Sequence, residues 1–228
     1  MEEFSGRKSK YFFDAFKEKN VIIPGHFELT SGRHTSEYIS KDVLTANASF
    51  DNLLEELCKQ LAFFAYDGNL IDIDVVAAPA TGGINLGYLV AKHLSGMIHK
   101  NVSAVYAERK KSKKIYDQME GYGKRGMLDV YIHDVFEFRE EFVRRIRFKN
   151  VFVVDDILTT GMSLKGVIDA VRLQGGIAEY AGVIWNRGRV DAEDIIVKKI
   201  FSAINKKIED WESPCPLCKK GIPLIRLK

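Results

Sequence analysis

The chain has 228 residues and a formal net charge of +3, from 34 Lys plus Arg against 31 Asp plus Glu. That length suits one domain with a small appended element, and 46% hydrophobic residues supply a core, which excludes wholesale disorder. So slight a positive excess carries no global signature of a nucleic-acid binder, and no run approaches the roughly 18–20 apolar residues of a membrane helix.

The opening, MEEFSGRKSK, is acidic then basic and lacks the apolar centre of a signal segment, so a cytoplasmic location is expected. Residues 5–20 carry Tyr11, Phe12, Ala15 and Phe16 at helical spacing, which predicts an amphipathic helix on the core surface. GHFELTSGRHTSEYIS follows and reads as a hairpin or as a loop between short strands. Residues 50–66 place Leu53, Leu54, Leu57, Cys58, Leu61 and Phe64 on one helical face. Cys58 reads as a buried free thiol, and three cysteines make no disulfide framework.

From residue 73 the pattern becomes alternating. IDVVAAP (73–79) predicts a buried strand, and Gly83–Ser95 a helix with Leu86, Leu89, Val90 and Leu94 inward. NVSAVYAE (101–108) is strand-like. Residues 109–126, with KKSKK and GYGKRG, predict a long basic loop, and such loops are usually functional or disordered. Residues 128–148 combine a strand-like VYIHDVF with a charged FREEFVRRIRF. VFVVDD (151–156) is a strand, Ser163–Gln174 a helix stopped by Gly175-Gly176, and IAEYAGVIW (177–185) the next strand. Beyond residue 190 helix and strand compete, with at least one strand expected near 199–204. Alternating strands and helices imply a mostly parallel sheet covered on both faces, an α/β fold.

One segment carries chemistry in its own right. In VFVVDDILTTGMS an apolar strand delivers Asp155 and Asp156 to the carboxyl end of the sheet, where open α/β folds bind ligands. Thr159, Thr160, Gly161, Met162 and Ser163 then turn into a helix, and their N–H groups and hydroxyls suit a phosphate monoester. Paired acids beside an anion cradle fit a sugar phosphate, the carboxylates taking the ribose hydroxyls. A Walker-B strand and a plain solvent-capped strand are the competing explanations, and no G-x-x-x-x-G-K-[ST] accompanies the first. A second glycine-rich turn, Ala80-Thr81-Gly82-Gly83, joins a strand to a helix and can likewise meet an anion.

Val151–Ser163 resembles the thirteen-residue phosphoribosyl pyrophosphate (PRPP) motif of type I phosphoribosyltransferases. The remainder is similar to the orotate phosphoribosyltransferase family: GHFELTSGRHTSEYI (25–39), VVAAPATGGINLGYLVAKHL (75–94), VYAER (105–109), GVIWNRG (182–188) and the tail WESPCPLCKKGIPL (211–224). The resemblance implies a single domain over residues 1–228, with 20–45 and about 190–228 forming a hood or tail. It implies transfer of ribose 5-phosphate from PRPP to orotate, a step of pyrimidine biosynthesis, with Mg²⁺ carried in by PRPP and a homodimer as the working unit. Asp155, Asp156, Arg109, Lys110 and Lys113 would be catalytic. Thr159–Ser163 would grip the 5-phosphate and Ala80–Gly83 the pyrophosphate. Arg187, Ser31 and Gly32 would meet the base, Arg187 pairing with its carboxylate. Ile115 stands where the family commonly has His, so the acting loop lysine and any general acid or base stay open, and Thr30 stands where many members have Lys, so the base contacts there stay open too. Two other readings remain: the same transfer to a different base, and a PRPP-sensing regulator that binds nucleic acid. The second is opposed by the low net charge and the lack of a helix-turn-helix.

Three features carry less. The cationic run Arg109, Lys110, Lys111, Lys113 and Lys114 is a solvated loop by base rate and a flap over pyrophosphate by resemblance. Gly121-x-Gly123-x-x-Gly126 matches a dinucleotide fingerprint but lacks a strand before it and a helix after it. Cys215-Pro-Leu-Cys218 has metal-ligand spacing, yet a structural zinc site needs four ligands and no second pair is visible in the sequence. Zinc there is left open, no metal ligand is assigned elsewhere, and His34 is read as a surface or dimer-contact residue.

Overall fold

The computed structural model describes residues 2–29, 32–40, 43, 51–67, 72–110, 135–188 and 190–226. The elements, in chain order, are α1 (Glu2–Glu18), β1 (Ile22–Glu28), β2 (His34–Ile39), α2 (Asp51–Asp67), β3 (Val75–Pro79), α3 (Gly83–Ile98), β4 (Ser103–Lys110), β5 (Val135–Glu137) and α4 (Glu140–Ile146). They continue with β6 (Asn150–Leu158), α5 (Met162–Leu173), β7 (Ile177–Asn186), β8 (Lys199–Asn205), β9 (Asp210–Trp211), α6 (Pro216–Lys219) and β10 (Ile225–Arg226).

Six strands form the main sheet in the order β5-β4-β3-β6-β7-β8. All neighbours are parallel except β5, which pairs antiparallel with the edge of β4. Both faces are covered, which is why β6 reads as an uninterrupted apolar run and not an alternating one. Phe152 and Val154 join the core beneath α1, α2 and α3, while Val151 and Val153 join the core beneath α5. Trp185 of β7 is fully buried and meets Phe13 edge-on, ring centroids 5.5 Å apart, with its indole N–H donating to the Lys206 carbonyl. Burying an aromatic of this size contributes about 1.5–3 kcal/mol. The inward face of α1 is therefore Phe12, Phe13 and Phe16, and Tyr11, expected inside, is exposed.

A second, four-stranded sheet has the order β10-β1-β2-β9. Its centre is the hairpin expected from residues 25–39, with Glu28 opposite His34 and Phe27 opposite Thr35. The tail completes it on both sides: β9 pairs with β2, and β10 lies parallel to β1. Arg33 fastens the hairpin further, its Nε 2.8 Å from Asp210 Oδ1.

Several expectations need adjustment. β4 runs through Lys110, so Arg109 and Lys110 belong to a strand tip paired with Phe136 and Val135, not to the loop. β4 extends this far because β5 supplies a partner that local sequence does not announce. FREEFVRRIRF contains a short helix, with Glu140 and Glu141 in its first turn and Arg144 and Arg145 in its last, charges matched to the helix dipole. The strand expected near 199–204 is β8, and 192–196 precede it as turns. Among the described residues, no helix is long and apolar enough to cross a membrane.

Candidate active site

The chain turns one way from β3 to β4 and the other way from β6 through β7 to β8, so the order of strands reverses between β3 and β6. Such a switch leaves a crevice at the carboxyl ends of the two strands, because their following helices depart to opposite faces. Here α3 covers one face and α5 the other. The two segments that open at this crevice are Ala80–Gly83 after β3 and Asp155–Ser163 at the end of β6.

Asp155 and Asp156 sit in the last turn of pleat of β6 and are buried, at 7% and 8% exposure. Each carboxylate is steadied by the next peptide. Asp155 Oδ1 accepts from the Asp156 N–H at 2.8 Å, and Asp156 Oδ1 from the Ile157 N–H at 2.6 Å. Fixed, partly desolvated acids are suited to orienting polyol hydroxyls, since little reorganisation accompanies binding.

The turn after them is shaped by Gly161. Its φ is +76°, and a Cβ there would lie 3.0 Å from Val190 Cγ1 and 3.1 Å from Ile195 Cγ2. Both the backbone sign and the space require glycine. α5 begins at Met162, so Met162 and Ser163 are its first residues and not part of the preceding turn. The first turn of a helix leaves N–H groups without an intrahelical acceptor. No acidic side chain stands there to occupy them, which leaves the positive helix end to an anion. Thr160 is exposed and Thr159 and Ser163 are half-buried, so none of the three is sealed from solvent.

Ala80–Gly83 is built for close approach. Gly83 is buried, and a Cβ on it would stand 3.0 Å from both Ala78 Cβ and Pro79 Cδ. Thr81 and Gly82 are exposed. The Ala80–Thr81 peptide is cis. The Ala80 N–H donates to the Ala107 carbonyl at 2.8 Å, tying this turn to β4 just before Arg109 and Lys110. Both cations are exposed at that tip, Lys110 within 3.8 Å of Glu108. A cleft of about 190 Å³ at the other end of the sheet is lined by Asp72, Asn150 and Ile177 among others. It shares none of these residues.

Arg187 follows β7 and is buried at 6% exposure, its N–H donating to the Leu158 carbonyl at 3.2 Å. It therefore lies level with the end of β6. The hood adjoins the same end, because the Lys206 N–H donates to Asn186 O and only residues 206–209 separate β8 from β9. Gly32 is exposed in the hairpin turn with φ +75°, its N–H closing on Leu29 O. Ser31, Thr30, Lys111, Lys113, Lys114, Ile115 and the Gly121–Gly126 run lie outside the described residues. Cys58 is fully buried, and burial pushes its thiol pKa up, so it is no nucleophile.

A second constellation was half visible in the sequence, which offered the Cys215–Cys218 pair but not its partners. His26 and His34, both buried, converge with Cys215 and Cys218 inside the hood, all four ligand atoms within 4.8 Å of one another. His34 is thus no surface residue: it is 4% exposed, held inside by the tail that folds over the hairpin. The available signal was the hairpin itself. With Glu28 opposite His34, His26 two residues away is a diagonal neighbour on the same face.

Comparison with known proteins identifies the class first. Residues 49–217 match the phosphoribosyl transferase domain, a span that includes the β3 and β6 turns. An orotate phosphoribosyltransferase of Pelotomaculum thermopropionicum is 32% identical over 212 residues, covering 92% of each chain. One from Thermoanaerobacter sp. is 34% identical over 215 residues, covering 93% of each. The chain belongs to the orotate phosphoribosyltransferase family of type I phosphoribosyltransferases, and it is a transferase. The fold agrees: the crystal structure of orotate phosphoribosyltransferase from Aeropyrum pernix superposes with a TM-score of 0.58 at 22% identity, over 84% of this chain and 92% of that one.

Proposed function

We propose that the chain transfers ribose 5-phosphate from PRPP to orotate, giving orotidine 5′-phosphate and pyrophosphate. The observation that carries this reading is the meeting of two buried acids, an acid-free helix start and a glycine-built turn at one strand-order reversal. Relatives named orotate phosphoribosyltransferase at 32% and 34% identity support the acceptor.

In this reading Thr159–Ser163 hold the 5-phosphate through backbone N–H groups and hydroxyls. Asp155 and Asp156 take the ribose hydroxyls and favour the positive charge that develops on the sugar as the leaving group departs, a character shared with glycoside hydrolysis. Ala80–Gly83 receive the pyrophosphate, and Arg109, Lys110 and Lys113 balance its growing charge. Arg187 pairs with the acceptor's carboxylate, with Ser31 and Gly32 beside it. Mg²⁺ would arrive on the diphosphate oxygens of PRPP and supply charge neutralisation there, a need consistent with a β3 turn that offers backbone donors and no cationic side chain. No residue of this chain is assigned as its ligand. The proposal extends to a single domain over 1–228 whose hood comprises 20–45 and about 190–228, and to a homodimer working in the cytoplasm.

The test is orotate consumption followed by absorbance with PRPP and Mg²⁺, alongside a panel of other bases. Turnover of orotate alone supports the acceptor assignment. Turnover of another base with none of orotate replaces it. Absence of any turnover, with a salt-dependent gel shift on nucleic acid, would move the chain to the regulator class.

A further inference from the structure

We propose that His26, His34, Cys215 and Cys218 form a structural zinc site that locks the carboxyl-terminal tail onto the β1–β2 hairpin. The site is independent of the acceptor base and lies outside the PRPP machinery.

The distances carry the argument. Bond lengths of about 2.3 Å to sulfur and about 2.0–2.1 Å to imidazole nitrogen give a tetrahedron with edges of about 3.8 Å (S–S), about 3.6 Å (S–N) and about 3.4 Å (N–N). The observed separations are 3.7 Å for Cys215 Sγ to Cys218 Sγ and 3.0 Å for His26 Nε2 to His34 Nδ1. The sulfur–nitrogen edges are 3.3 Å (Cys215 to His26), 3.7 Å (Cys218 to His26) and 3.3 Å (Cys218 to His34). Five of the six edges thus match one metal-centred tetrahedron to within about 0.4 Å, and the sixth, Cys215 to His34, lies within 4.8 Å, so closing on a metal draws these two ligands together. A disulfide explains them poorly, because its sulfurs would be about 2.05 Å apart. A metal-free hydrogen-bonded cluster also fits poorly, since it would aim four weakly complementary atoms at one buried point.

The surroundings are prepared for a cation. His26 Nδ1 lies 2.8 Å from the Ile222 carbonyl, which can only accept. The ring proton therefore sits on Nδ1, and Nε2 turns its lone pair to the cluster, the arrangement that orients a metal-bound imidazole. The Cys218 N–H donates to Cys215 Sγ at 3.4 Å, and such a donor stabilises a thiolate. The Cys-x-x-Cys loop is wound tightly by Lys219 N–H to Cys215 O and Gly221 N–H to Cys218 O, Gly221 having φ +69°. Two thiolates and two neutral imidazoles bound to Zn²⁺ leave no net charge, which suits burial.

What the site joins defines its role. It connects β1, β2 and the segment after β9, spanning 189 residues between His26 and Cys215. The hairpin turn that carries Gly32 is flanked by both histidines, so the metal fixes the frame of that turn.

The experiment is metal analysis of the full chain, purified under reducing conditions without chelator. About one zinc per chain is expected, retained through gel filtration. Cobalt exchanged into the native protein should show thiolate-to-cobalt charge transfer and the intense visible bands of a tetrahedral centre. The double substitution Cys215→Ser, Cys218→Ser should lower zinc to under about one tenth of the native content. Failure of that variant to fold leaves the cobalt spectrum of the native chain to decide. Less than about one tenth of an equivalent after reduction and zinc addition overturns the proposal. So does a Cys215–Cys218 disulfide in the reduced preparation, or zinc retained in full by the folded double variant.

Discussion

The tip of β6 and the interior of the hood are both built around four or five polar residues, yet they are encoded in opposite ways. At the β6 tip, Asp155 through Ser163 are consecutive, and the fold needs only to deliver one strand end. In the hood, His26, His34, Cys215 and Cys218 come from the two ends of the sequence and mean little until β9 and β10 close on the hairpin. Contiguous chemistry can be read from a window of residues, whereas dispersed chemistry needs the tertiary pairing first.

The sharpest way to break this contrast is at the acids. Asp156→Asn keeps the shape of β6 and removes a carboxylate charge, so kcat/KM for PRPP should fall by about 10²–10³-fold while the melting temperature holds. Steady-state kinetics and a thermal melt check the pair of outcomes, and unchanged kinetics would remove Asp156 from the mechanism. Next in size, Arg187→Lys replaces a planar fork with a point charge. KM for orotate should rise about 10–30-fold with little change in KM for PRPP, and an equal rise in both would refute a base-specific role. Gly161→Ala introduces a Cβ at φ +76° against Val190 and Ile195. It should cost about 1–2 kcal/mol, seen as a lowered denaturant midpoint together with a raised KM for PRPP.

The smallest effect belongs to an acid at the opposite end of the sheet, before β3. Burial raises the pKa of Asp74, but hydrogen bonds from Lys100 and the Asn150 N–H, with the charges of Lys100 and Lys149, outweigh it and hold the carboxyl below its usual value. Its folded pKa is depressed, so its contribution is present above the unfolded pKa and lost as pH falls through the folded one. Asp74→Asn should flatten the acid limb of the stability curve by about 0.5–1 kcal/mol and leave kcat unchanged. Urea melts across the acid range test this. A change in activity would mean that the two ends of the sheet are not separate.

Much of the main sheet was legible because βα alternation follows from local periodicity: β3, α3, β6, α5 and β7 fall within a few residues of their expected bounds. The strand order was not, since nothing local tells β6 to settle beside β3 and away from β4. Arg109 and Lys110 were assigned to a loop because their strand partners, Phe136 and Val135, lie 25 or more residues downstream. The ends of FREEFVRRIRF carried their own signal, acids first and bases last, masked by the density of charge. The two histidines were visible as letters within a resemblance to a substrate segment. Their inward aim became meaningful only once Ile222 and the cysteines were placed around them.

The parallel pairing of β10 with β1 also sets a schedule. Arg226 and Glu28 form an ion pair across 198 residues, and a ribosome adding roughly 5–20 residues per second needs roughly 10–40 s to make that interval. Throughout it the nascent hairpin carries a bare edge, and an unpaired edge accepts strands from other copies as readily as from its own chain. The pace of translation between these two segments therefore helps to decide how many molecules close on themselves and how many meet a neighbour first.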